Sequence, residues 1–287
     1  MQVIFHLGAH CTDQGLLIRS ILRNRAKLAE ESILVPGPAR YKEAISIAST
    51  RLRGAKADAD TENWVLDAIC GGQSAERVVL ANENFLCRAE VAVDRNGLYS
   101  KAHKSAWLRN CLPSHDVEFA LGIVNPAILL PNLVRRSGDK IRLDEISLVN
   151  LLWSDAISTI RRSNPETPIT VWCHEDTPFI WPELMSELTA HDPNTELEGG
   201  YDMLETIVTE QTMTGLLDHL SYTEIDDELD RRRAISSYLE ENQVGEIVQE
   251  EIELPGWTES TVDVLSEIYE QDLEKIAQLP GVTFITA

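Results

Sequence analysis

The chain has 287 residues, 43% of them hydrophobic and 25% charged, which are ordinary values for a globular protein able to bury a sizeable core. A formal net charge of −22 argues against a nucleic-acid partner, because a phosphate backbone is held by clustered Lys and Arg. No apolar run approaches the roughly 20 residues that span a bilayer, so no membrane partner is expected. The charge is uneven: residues 1–150 carry 19 Lys and Arg against 17 Asp and Glu, and the remainder carries 6 against 30. The acidic half reads as a solvated, self-repelling surface, or else as a docking face for a basic partner. Cys11, Cys70, Cys87, Cys111 and Cys173 are scattered without a C-x-x-C pair, and Met1 leads straight into a strand without a basic leader. A reduced chain in the cytoplasm, with no disulfide framework and no secretory signal, is expected.

In chain order, residues 3–7 form an apolar run that reads as a buried strand. Residues 8–15 break it, and Leu16, Leu17, Ser20 and Ile21 resume at helical spacing. This predicts the first βα unit of a parallel sheet, with the helix N-terminus as a candidate anion site. Neither G-x-x-x-x-G-K-[ST] nor G-x-G-x-x-G is present. A short strand at 32–35 ends in Pro36-Gly37-Pro38, a helical pattern covers 40–59, and the charged stretch 50–62 predicts a mobile surface excursion. A helix closes over 64–69 before Gly71-Gly72.

Residues 77–84 give a second buried strand ending in polar residues, and 117–124 a third, followed by a helix over 127–135. A helix is expected over 148–160 and a fourth strand over 169–173. His174, Glu175 and Asp176 then offer either acid/base or metal-binding chemistry or a helix cap ahead of Pro178. Beyond Gly199 the pattern is helical over 201–211, 213–221 and 226–242. There Arg231, Arg232 and Arg233 have acidic neighbours for intrahelical pairing. Residues 246–252 lead to a stop at 254–257, a last helix runs from Thr258 or Ser260 to about 278, and 282–285 form a final strand or tail.

The stretch His6-x-Gly8-x-His10-Cys11-Thr12 resembles the first βα loop of bacterial sulfotransferase-like proteins, H-x-G-x-H-K-T-G-T-T, which have a P-loop NTPase-type fold. In that family the loop wraps the phosphosulfate of 3′-phosphoadenosine 5′-phosphosulfate (PAPS). The resemblance implies cofactor binding by Gly8, His10, Thr12, Gln14, Gly15 and Asn132. It also implies catalytic roles for Glu83, retained from an S-S-E strand end, and for His10. The chain departs from the pattern at Cys11 in place of Lys, at Asp13 in place of Gly, and at Val124 in place of an Arg that grips the 3′-phosphate. These departures predict weak anion binding at the first loop.

The expected architecture is a single α/β domain with a mainly parallel sheet flanked by helices. Residues 1–190 would form the core, and 191–287 an acidic helical extension packed on it. The implied activity is sulfuryl transfer from PAPS to a hydroxyl or amine of a small-molecule or glycan acceptor, without a metal. The alternative is a non-catalytic binding or regulatory protein on a degenerate sulfotransferase scaffold. Thiol chemistry at Cys11, near a helix N-terminus, is a third reading.

Overall fold

The apolar runs lack the polar alternation of a half-solvated strand, and each becomes a strand of a sheet covered on both faces. The computed structural model describes residues 1–242, 254 and 256–287. Its strands are β1 (Gln2–His6), β2 (Ile33–Leu34), β3 (Arg77–Ala81), β4 (Val93–Asp94), β5 (Gly97–Leu98), β6 (Asp116–Ile123), β7 (Ile169–Cys173) and β8 (Val282–Ile285). Six of them form one sheet in the order β2–β3–β1–β6–β7–β8, and every neighbouring pair is parallel. The runs 3–7, 77–84 and 117–124 thus supply three neighbouring parallel strands, with Phe5 of β1 in register with Leu80 of β3 and Phe119 of β6.

The α-helices are α1 (Leu16–Arg23), α2 (Arg25–Glu30), α3 (Pro38–Leu52), α4 (Ala59–Cys70), α5 (Ser105–Arg109), α6 (Pro126–Ser137), α7 (Trp153–Ser163), α8 (Thr177–Thr189), α9 (Asp202–Glu205), α10 (Glu210–Tyr222), α11 (Glu228–Glu241) and α12 (Glu259–Ala277). No described helix is long and apolar enough to cross a membrane. The period-two alternation of strand side chains divides the core. Val3, Phe5 and Leu7 join Leu80, Phe119 and Val171 beneath α3, α4, α6, α7 and α12. On the opposite face Ile4, Val79, Ala120 and Trp172 pack against α1 and α8.

From β1 the chain runs outward to β2, returns to β3, and then passes over β1 to β6. The order reverses at β1, and an open parallel sheet has its crevice at the carboxyl ends of the strands at such a point.

Several expectations need correction. The stretch 50–62 is not a loose excursion: α3 continues to Leu52, and Asp58 caps α4 by accepting from the Thr61 N–H at 2.9 Å. The link between them is held at both ends by Asn110, whose carbonyl accepts from Ala57 N and whose Nδ2 donates to the Gly54 carbonyl. The helix expected from 148 starts at Trp153, where Asp272 of α12 accepts from Ser154 N and Oγ and acts as a tertiary cap.

Before α8 no side-chain cap comes from Asp176; Glu175 instead accepts from Asn125 N at 2.7 Å and from the Tyr269 hydroxyl at 3.2 Å. Arg231 and Arg233 do pair within α11, but Arg231 and Arg232 also reach Glu183 on α8. Within 191–287, only α9 to α11 form a separate apolar cluster; α12 enters the main core and β8 extends the sheet. The expectation for 246–252 lies outside the described residues.

Candidate functional site

A cleft of about 580 Å³ opens at the reversal point of the sheet. Its walls come from the loop after β1, Glu83 after β3, Lys42 of α3, and Asn132, Arg135 and Arg136 of α6. Of the residues expected to hold a cofactor, Gly8, Thr12, Gln14, Gly15 and Asn132 all line it, whereas His10 does not.

The loop first prolongs β1. Leu7 N donates to the Ala120 carbonyl and Ala9 N to Gly122, so the chain stays on β6 past the last strand residue. Gly8 has φ +103°, and a Cβ there would lie 3.2 Å from the Glu83 Cα, so the close approach of β1 and β3 ends depends on glycine. Beyond it the loop closes on itself, with Thr12 Oγ1 donating to the Ala9 carbonyl at 2.9 Å. Cys11, Gln14 and Gly15 follow with positive φ.

Asp13 then turns onto α1 and accepts from Leu17 N at 2.8 Å and Gly15 N at 3.3 Å. An internal carboxylate thus occupies the helix end where an external anion would bind. Exchanging Cys11→Lys and Asp13→Gly together should enlarge the melting-temperature shift caused by millimolar sulfate. An unchanged shift would mean that something other than Asp13 closes the helix end.

Glu83 lies in the cleft, bound through both carboxylate oxygens to the Arg136 guanidinium. The hydrogen bond from Arg136 holds its carboxyl below the usual carboxylate range, and the same pairing raises the arginine. Arg135 donates to Asn132 Oδ1 at 2.8 Å, and Asn132 Nδ2 donates to the Ile128 carbonyl. Lys42 makes no hydrogen bond or ion pair among the described residues. The cleft therefore sets three cations against the carboxylates of Asp13 and Glu83. No family model, curated protein or solved structure matches this chain.

His10 lies beneath the cleft, fully buried. Its backbone N–H donates to the Tyr99 hydroxyl at 2.8 Å, its Nδ1 bonds the same hydroxyl at 2.7 Å, and Nε2 meets Asn84 Oδ1 at 3.3 Å. Its ring stacks on Tyr99, which stacks on Trp153, and Trp153 Nε1 donates to the Val124 carbonyl. His10 thus sits in a column that supports the loop from below. Val124 is buried and contributes only its carbonyl to that column. At Cys11 burial pushes the thiol up, against the lowering influence of Arg136, so the helix end does not produce a thiolate there. Among the described residues, no group of three or more His, Cys, Asp or Glu side chains could hold a metal ion.

Lys42, Arg135 and Arg136 line the cleft without an expected role there, and so do His6, retained from the motif, and His174, read as an acid/base or metal-binding candidate. Arg135 and Arg136 follow Asn132 by three and four positions, the spacing that puts side chains on one helical face, so that signal was available. The position of Lys42 depends on how α3 leaves the turn at Pro38, which no local pattern shows.

His6 and His10 are both held below the usual imidazole value of 6.5, mainly by burial. The unfolded chain takes up protons near that value while the folded chain resists, so stability should fall as pH drops below about 6.5. Urea midpoints at about pH 7.5 and about pH 5.5 should show the fall, and His6→Phe should reduce it. An identical fall in wild type and His6→Phe would remove His6 from this account.

Proposed function

We propose that this chain binds an organic phosphate or sulfate ester in the cleft, as a sulfotransferase-like protein that holds its ligand with Lys42 and Arg135. One observation carries this reading: in a chain of net charge −22, three cations converge on the switch point of the sheet against two carboxylates. Both carboxylates are already engaged, Glu83 by Arg136 and Asp13 by the start of α1, which leaves Lys42 and Arg135 for an incoming anion. His6, Gly8, His10, Thr12 and Glu83, kept from the family pattern, support the sulfotransferase-like assignment, and PAPS is an ester of this class. Calorimetry with 3′-phosphoadenosine 5′-phosphate tests the reading. Binding at sub-millimolar affinity is expected, and no heat at millimolar concentration would overturn it.

A second reading, sulfuryl transfer to a hydroxyl or amine acceptor, is favoured by the placement of Glu83 in the cleft against Arg136. An anion that takes Arg136 would free Glu83 beside the bound ester and remove the hydrogen bond that lowers its carboxyl. PAPS would supply the sulfuryl group, its phosphosulfate S–O bond breaking as the acceptor's S–O or S–N bond forms, with 3′-phosphoadenosine 5′-phosphate as leaving group; the chain would hold the ester on its cations and accept the acceptor's proton at a Glu83 oxygen. Glu83→Gln should abolish transfer while nucleotide affinity is kept or rises, because the substitution removes a negative charge from beside the bound anion. Turnover that survives Glu83→Gln would exclude Glu83 as the base.

A further inference from the structure

Among the described residues, His6 is a buried polar side chain that stacks on Trp172 and that no hydrogen bond engages. The residue is 5% exposed, its ring stacks on Trp172 at 5.4 Å between centroids, and it lines the cleft. Among the described residues no hydrogen bond or ion pair engages its ring nitrogens, although buried imidazoles normally find partners. Neither nitrogen is among the described buried side-chain atoms that lack both a partner and solvent contact. The ring therefore keeps its hydrogen-bonding capacity on the cleft side. Its burial favours the neutral form, which offers one donor and one acceptor.

The side of the sheet on which His6 lies matters equally. It follows Ile4 on the face covered by α1 and α8. Lys42 and Arg135 come from α3 and α6, which cover the other face. The cleft thus straddles the carboxyl edge of the sheet, with cations contributed from one side and the His6 imidazole from the other. A volume of about 580 Å³ far exceeds a bare inorganic anion and falls in the range of sites for organic ligands.

We propose that His6 is a ligand-contacting residue, bonding a hydroxyl or ring N–H of an organic phosphate or sulfate ester whose charged group rests on Lys42 and Arg135. This rests on the anion-cleft reading above and adds to it a second, uncharged point of recognition. An inorganic anion satisfies only the cationic side, whereas an ester carrying a polar organic group satisfies both.

The test compares inorganic sulfate with 3′-phosphoadenosine 5′-phosphate as probes on the whole chain. His6→Phe keeps an aromatic ring against Trp172 and removes both ring nitrogens. It should weaken the nucleotide about fivefold, the equivalent of one neutral hydrogen bond, and leave sulfate binding unchanged. His6→Gln should recover part of the loss. In the wild type, the His6 imidazole nitrogen resonances should move with nucleotide and not with sulfate. Melting temperatures of both variants monitor folding.

Equal nucleotide affinity in His6→Phe and wild type, with still imidazole resonances, overturns the role of His6 while leaving the cation site standing. Nucleotide affinity that survives Lys42→Ala with Arg135→Ala overturns the anion-cleft reading itself. A wild type that binds neither probe at millimolar concentration overturns both.

Discussion

Replacing Trp153 with alanine should cost about 3–5 kcal/mol of stability, the usual range for a large aromatic removed from a core. Trp153 is fully buried at the first turn of α7, with its ring 5.2 Å from that of Tyr99. Truncation removes that stack and leaves the Val124 carbonyl without its indole donor. The damage should extend to the cleft, because Tyr99 carries the hydroxyl on which both His10 N and Nδ1 depend. Chemical denaturation would measure the cost, and amide exchange at Ala9 and His10 would report loosening of the loop. Trp64→Ala is the control, since Trp64 is 44% exposed and should cost under about 1 kcal/mol. A cost for Trp153→Ala no larger than that of Trp64→Ala would show that the column does not support the loop.

The second large effect is on binding. Changing Lys42→Ala and Arg135→Ala together should lower affinity for the nucleotide probe by about two decades at low salt. A charge-assisted contact contributes about 1.5–3 kcal/mol, and exposure of both side chains argues for the lower end. The loss should shrink as ionic strength rises, because screening weakens the same attraction in the parent. Arg136→Ala should also weaken binding, since it leaves the Glu83 carboxylate unpaired in the cleft to repel the anion. Calorimetry across a salt series separates the cases. An affinity unchanged by the double substitution would place the anion elsewhere.

The fold was readable where local chemistry and tertiary structure agree. Runs such as residues 3–7, 77–81 and 169–173 have no solvent-facing alternation, and only a sheet covered on both faces suits them. The small hairpin of β4 and β5 also had a signal, Asn96-Gly97, which went unread; Gly97 has φ +109° at the strand start. The start of α7 was not readable, because its cap is Asp272, more than a hundred residues away.

The site divides in the same way. The loop of 8–15 was legible as the mouth of a crevice, since a strand, a turn and a helix at a sheet's carboxyl edge make one. The sense of Asp13 as an obstacle to anions was legible from its charge, but its placement on Gly15 N and Leu17 N needed the turn geometry. Motif alignment looked for the missing cation at Val124, while the fold supplies its cations from the far end of α6 and from α3. His10 looked like a reacting group because its partner Tyr99 lies 89 positions along the chain.

The placement of β8 bears on how the molecule assembles. It pairs with β7 along its whole length, yet the intervening chain runs from residue 173 to 282 and includes five helices among the described residues. A pairing of such long range forms slowly, because the entropy of closing the connection is lost before any contact is gained. Until it forms, the outer N–H and C=O groups of β7 offer a template to any extended chain nearby. Yield on refolding should therefore fall with protein concentration, as strands from other copies compete with β8 for the same edge.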